Sequence, residues 1–176
     1  MADLEALLEA IRLKALPREG WVRRGVPSPE SVAAHSWGVA WLVLALLPED
    51  LDRGKALAYA VLHDLPEVRV GDITPADGVS RPEKRAREHH AMAGLCEPLE
   101  AGAALQRSWE AYEAQADPES RFVRELDRLD MALQCVVYTE RGHPGLREFL
   151  DSAAEVIRHP RLAPLLEACK SRLAAP

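Results

Sequence analysis

The residues of this chain best suited to chemistry lie between Val61 and Gly78, in the stretch VLHDLPEVRVGDITPADG, which places His63, Asp64, Glu67 and Asp72 close together. An apolar, helix-forming run leads directly into His63-Asp64, so the pair falls at a helix end. There the backbone can aim adjacent side chains at one point, whereas neighbours inside a regular helix diverge by about 100°. An imidazole beside a carboxylate at a buried helix end is costly unless a cation or hydrogen bonds compensate. A bound metal ion would supply that compensation. Pro66 stops the helix, and Gly71 permits a turn that brings Asp72 back toward the same place.

Two further candidates are distant in sequence. His35 lies on an apolar helical stripe, three residues after Val32 and four before Val39. Asp127 lies four after Val123 and four before Met131, and Asp130 is near enough to compete with it; spacing alone does not choose between them. Two imidazoles with two carboxylates form a mixed nitrogen and oxygen set, suited to Co, Mn, Ni, Zn or Fe rather than to calcium. Four such donors leave an octahedral ion open positions for water and a substrate oxygen, which suggests catalysis over a structural role. His89 and His90 are weaker candidates, because no apolar stripe turns them inward.

The elements that must position these groups read as helices throughout. Asp3 to Leu16 carries an apolar stripe (Leu4, Leu7, Leu8, Ile11, Leu16) after Asp3 as a cap, and Pro17 ends it. Arg18 to Pro29 mixes Gly, Pro, Trp21 and arginines, and reads as a surface loop. Ser28-Pro29 then has the composition of a helix start, opening a helix to about Leu47 that carries His35. A third helix, Arg53 to His63, is apolar almost all round and is expected to be the central one. Ser80 and Glu83 have capping-box spacing for a helix to about Leu99, whose outer face (Glu83, Lys84, Arg85, Arg87, Glu88) reads as solvated. Ala101 to Gln115 gives a short helix, and Asp117-Pro118 opens another, Glu119 to Thr139, carrying Asp127. Leu146 to Ile157 and Pro160 to Leu173 read as packing helices.

Composition bounds the rest. At 176 residues, with nearly half of them hydrophobic, the chain suits one folded domain. A net charge of −6 with scattered basic residues argues against a dedicated nucleic-acid surface, though a local arginine can still hold a small phosphate. No apolar run approaches the ~20 residues of a membrane span. The N-terminus lacks the basic start and apolar block of a signal peptide, so a cytoplasmic location is expected. Cys96, Cys135 and Cys169 form no CxxC pattern and read as reduced, partly buried thiols.

The segments LPREGWVRRGVPSPESVAAHS, HDLPEVRVGDITPADG and FVRELDRLDMALQ, in that order, resemble the HD-domain metal-dependent phosphohydrolases, and among them the 5′-deoxynucleotidases. The resemblance covers about residues 12–162 and implies a single-domain, all-α HD-type bundle. It further implies a divalent ion, a small-molecule nucleotide substrate, hydrolysis of deoxynucleoside 5′-monophosphates to deoxynucleoside and phosphate, and a homodimer. Carried over by motif, it makes His35, His63, Asp64 and Asp127 the metal ligands, choosing Asp127 over Asp130. It makes Glu67 and Asp72 the catalytic acids, with room for a second ion near them. Arg18, Trp21, Asp64, Asp72, Ile73 and Thr74 become substrate-binding residues, Arg18 as the phosphate clamp with Arg23 and Arg24 as its neighbouring alternatives. Rival readings are an HD-domain phosphodiesterase or nucleoside-triphosphate hydrolase, an iron oxygenase of related type, and a non-enzymatic helical interaction module.

Overall fold

Proline, aspartate and serine divide the chain into helices, and the computed structural model describes residues 1–174 of it. The helices are α1 (Ala2–Ile11), α2 (Glu19–Arg23), α3 (Val32–Leu46), α4 (Arg53–Leu62), α5 (Glu67–Val70), α6 (Arg81–Cys96), α7 (Gly102–Glu113), α8 (Pro118–Glu140), α9 (Arg147–Val156) and α10 (Ala163–Ala174). No strand forms among the described residues; one isolated bridge pairs Pro17 with Ser31. The architecture is all-α, as expected.

Several starts follow directly from side-chain chemistry. The Asp52 carboxylate accepts the Lys55 amide at 2.9 Å and opens α4. Asp117 and Ser120 cap one another reciprocally, with Pro118 in the first turn of α8, where its missing N–H is not needed. Ser80 accepts the Glu83 amide to start α6, but the Glu83 side chain turns to Arg87 rather than back to the cap.

The long helix α8 is the hub. Its Phe122, Val123, Leu126, Leu129, Ala132 and Cys135 are buried, and α3, α4, α9 and α10 pack against it. Burying each Leu or Phe side chain contributes about 1.5–3 kcal/mol, so this seam is the main source of stability. Because α3 and α4 also pack on each other, the helix carrying His35 and the helix ending at His63 meet the one carrying Asp127. All three cysteines are free and buried.

Four expectations need correction. The first helix ends at Ile11 and continues as a short 3₁₀ turn, and its stripe faces outward: Leu4, Leu7, Leu8 and Ile11 are about half exposed while Ala6 is buried. Periodicity reports that a face is apolar, not that a partner covers it. The helix bearing His35 starts at Ser31, not Ser28, because Ser28 adopts a left-handed φ of 49° and the chain stays extended until Ser31 accepts the Ala34 amide. The intervening backbone is engaged elsewhere: Arg18 N–H donates to the Glu30 carbonyl at 3.0 Å and Val32 N–H to the Leu16 carbonyl at 2.8 Å. The supposed loop after Pro17 contains α2. Finally, α4 is not buried all round, since Val61 is 56 % exposed.

Candidate active site

Each inward-facing group is held by a local device. His63 follows the last residue of α4, and its Nδ1–H donates to the Ala60 carbonyl at 2.9 Å, which leaves Nε2 free. The Trp109 indole donates to the His63 carbonyl at 3.2 Å and pins that helix end. His35, completely buried on α3, donates from Nδ1 to Asp130 Oδ2 at 2.7 Å, so its Nε2 is the nitrogen turned toward the cluster. The two free nitrogens face each other at 3.3 Å. Asp64 Oδ2 lies 3.1 Å from His63 Nε2 and 3.7 Å from His35 Nε2, and Asp127 Oδ1 lies 3.1 Å from His35 Nε2.

These spacings fit an ion. Adjacent donors bound at about 2.1 Å to one ion stand about 3 Å apart, the separation seen here. Two imidazole lone pairs pointing at each other are unfavourable without a cation or a proton between them. The residues present therefore suit a divalent ion held by His35, His63, Asp64 and Asp127. The two aspartates near His35 divide the ring between them, Asp127 on the Nε2 side and Asp130 on the Nδ1 side.

Electrostatics agree with that geometry. Burial pushes the Asp64 carboxyl up, but His63, Arg18 and His35 overcome it and hold it well below the ordinary carboxylate range. Burial likewise opposes Asp127, and Arg128 and His35 keep it ionised. For His35, burial and the charge of Arg18 oppose a proton, yet hydrogen bonds to Asp127 and Asp130 outweigh them and raise its pKa to about 9. An ion needs that ring neutral, so binding must expel one proton whenever the pH is below about 9. Calorimetric titration of the metal-free protein with manganese is accordingly expected to show affinity rising about tenfold per pH unit toward that value, with one proton released per ion. A pH-independent affinity between pH 6.5 and 8.5 would contradict it.

The second half of the motif forms the wall beside this cluster. Pro66 starts α5, and Gly71, with φ of 80°, ends it in a conformation that costs a side chain strain. Asp72 Oδ2 then accepts the Glu19 amide at 2.7 Å and so caps α2 from across the molecule. The same helix start carries Arg18, whose Nη1 donates to Asp64 Oδ2 at 3.2 Å. Burial disfavours the Arg18 charge, but Asp64, Asp72, Asp127 and Glu67 surround it and keep it cationic. Glu67 is 3 % exposed; burial first, then Asp64 and Asp72, raise its pKa well above the ordinary range, and its Oε2 has no partner. A buried orphan oxygen of this kind costs about 1–3 kcal/mol unless a ligand or water completes it.

The other expected residues have different surroundings. Trp21 is 2 % exposed and packs against Tyr138 and Phe149, with its indole N–H on Glu30 Oε1 at 2.9 Å; it stands behind the site, not in it. The Ile73 carbonyl accepts from Lys84 Nζ at 3.0 Å, and Thr74 caps the 3₁₀ turn after it through Asp77. His89 and His90 are exposed, His89 facing Glu110. Arg23 pairs with Glu19 and Asp77, and Arg24 with Glu148, both at the surface.

Sequence reasoning missed Lys84 and Glu88. Lys84 Nζ lies 4.0 Å from Glu67 Oε1 and 3.5 Å from Glu88 Oε1, and burial raises the Glu88 pKa to about 7. A signal existed: positions 84, 88, 91 and 95 form one helical face, continuing into the buried Ala91 and Leu95.

A family model described as HD domain matches residues 10–163. The chain is 40 % identical over 159 residues to the 5′-deoxynucleotidase HDDC2 of Bos taurus, covering 88 % of this chain and 78 % of that protein. It is 32 % identical over 160 residues to the 5′-deoxynucleotidase YGK1 of Saccharomyces cerevisiae, covering 86 % and 74 %. The crystal structure of the PH0347 protein of Pyrococcus horikoshii superposes with a TM-score of 0.79 at 32 % identity, over 97 % of this chain and 98 % of that one. With His35, His63 and Asp64 gathered within 4.8 Å of one another, Asp127 beside His35 Nε2, and this family model spanning most of its length, the chain belongs to the HD-domain family.

Proposed function

We propose that the protein is a metal-dependent 5′-deoxynucleotidase, releasing phosphate from deoxynucleoside 5′-monophosphates. The observation that carries this reading is the His35, His63, Asp64, Asp127 cluster with both Nε2 atoms turned inward, set directly against the partly buried Arg18. The curated relatives named as 5′-deoxynucleotidases support the substrate class. A divalent ion bound there supplies Lewis-acid activation of water and neutralises charge developing on the phosphate. Co, Mn, Ni, Zn and Fe all suit the donor set.

The chain's own residues divide the remaining work. Arg18, kept cationic by the carboxylates around it, clamps the phosphate oxygens through charge-assisted hydrogen bonds. Glu67, buried beside the cluster with its Oε2 unpartnered, takes the proton of the attacking water as the bond from phosphorus to the 5′-oxygen breaks. The departing 5′-oxygen takes up that proton, returned by Glu67, and the resulting sugar hydroxyl is held by the Asp72 carboxylate. Lys84 closes this wall by tying the Ile73 carbonyl to α6.

The deciding experiment is a phosphate-release screen over deoxy- and ribonucleoside 5′-monophosphates, triphosphates and cyclic nucleotides with each of these metals. Release from deoxymonophosphates is the expected result. Equal rates on ribonucleotides would remove the deoxy preference, and release from triphosphates alone would sink the monoesterase reading. Within the same assay, Glu67→Gln is expected to lower turnover by about 10²–10⁴-fold. Metal analysis of that variant separates two roles for Glu67: an unchanged ion content marks a proton acceptor, and loss of one of two ions marks a ligand to a second ion beside Asp72. The proposal includes a homodimer, supported by the outer face of α3, where Trp37, Trp41 and Leu44 are exposed on a helix with no Asp, Glu, Lys or Arg. Sedimentation velocity measures its mass.

A further inference from the structure

Behind the ion site, on the far side of the His35 ring, the partly buried Glu30 and Asp130 gather in a second polar cluster that the proposed reaction does not use. His35 Nδ1 donates to Asp130 Oδ2 at 2.7 Å. Donor and acceptor atoms of Glu30, His35 and Asp130 all lie within 4.8 Å of one another. Glu30 is itself held on two sides: its Oε1 accepts the Trp21 indole N–H at 2.9 Å, and its backbone N–H donates to the Tyr138 hydroxyl at 2.7 Å. The packing of α3 against α8 makes room for this arrangement at Gly38, where a Cβ would lie 2.1 Å from Asp130 Oδ1. Since Nδ1 carries the hydrogen, this side of the ring is not a second ion site.

We propose that Asp130, with the Glu30 carboxylate held near it by Trp21 to add negative charge on the Nδ1 side, is a positioning residue that fixes His35 in the tautomer and orientation presenting a bare Nε2 to the ion. The physical reason is the two-nitrogen logic of imidazole. A neutral ring has one hydrogen, and whichever nitrogen donates it decides which one can bind a metal. A carboxylate at Nδ1 can only accept, so it forces the hydrogen there; it also raises the basicity of the opposite nitrogen. Trp21 thereby gains a role through Glu30, although it does not reach the site. The inference rests on the reading of His35 as an ion ligand.

The test is calorimetric titration of wild type, Asp130→Asn and Glu30→Gln with manganese, together with the visible absorption band of the cobalt-loaded proteins. Asparagine has nearly the same shape but can offer N–H to Nδ1, which moves the ring hydrogen to Nε2 and blocks the ion. Asp130→Asn is expected to weaken binding by about 10–100-fold and to shift the cobalt band, while KM measured at saturating metal changes little. Glu30→Gln, which keeps an acceptor for the Trp21 indole and lies outside the ligand set, is expected to weaken binding in the same direction by a smaller factor. An unchanged dissociation constant and cobalt band in both variants, even with a lowered melting temperature, would show a purely structural network and overturn the proposal. Wild-type protein that takes up no ion would instead overturn the ion reading itself, and this inference with it.

Discussion

Asp64→Asn is expected to eliminate tight ion binding and to reduce phosphate release by roughly 10³-fold or more, because one oxygen serves three partners. Asp64 Oδ2 lies 3.1 Å from His63 Nε2, 3.7 Å from His35 Nε2 and 3.2 Å from Arg18 Nη1. An amide in that place either turns its NH₂ toward two lone pairs or toward a guanidinium. In both orientations the negative charge that balances Arg18 and the ion is gone, and the remaining charge is poorly solvated. Metal content after dialysis and turnover at saturating metal are the measurements. Near-normal turnover with metal present would remove Asp64 from the centre of the mechanism.

Gly38→Ala carries the second large effect, although residue 38 touches no substrate. The added Cβ would meet Asp130 Oδ1 at 2.1 Å and its Cγ at 2.9 Å, far inside contact distance. Asp130 cannot simply swing aside, because its other oxygen holds His35 Nδ1. Either α3 and α8 separate or the Asp130 to His35 bond breaks. Overpacking of this kind costs about 1–3 kcal/mol, and for a chain of this size that lowers the melting temperature by roughly 3–10 °C. If His35 is displaced, metal affinity falls as well. A melting temperature within 1 °C of wild type, roughly the noise expected for a neutral surface change, would show that the helices yield more easily than their packing suggests.

Much of the site could be read from residue types. His63-Asp64 at the end of an apolar run, and His35 on the apolar stripe of another helix, needed only periodicity. Asp127 against Asp130 could not be resolved that way, and the structure explains why: both face His35, one at each ring nitrogen. Two residues on the same inner face cannot be ranked by spacing when the quantity that separates them is which side of a ring they approach. The start of α3 failed for a related reason. Ser28 and Ser31 have the same capping chemistry, and the choice was made by hydrogen bonds to Leu16 and Arg18, which no local window contains. Trp21 was legible as a large apolar residue in a polar stretch, but whether it faces ligand or core depends on Tyr138 and Phe149, more than a hundred residues later. Lys84 and Glu88 were hidden by the charged residues around them, which are solvated as expected.

The cap that Asp72 places on α2 makes that short helix dependent on a distant part of the chain. Five residues are far fewer than the ~12–15 an isolated helix needs to hold together in water, so α2 has no independent existence. Its first amide is satisfied by a carboxylate 53 positions further along the chain. The helix start bearing Arg18 is therefore completed by two outside partners, the Glu30 carbonyl that accepts its amide at 3.0 Å and the Asp72 carboxylate after α5. The Arg18 end of the site thus depends on a contact of high sequence separation, and loosening the turn after Gly71 is expected to loosen α2 with it.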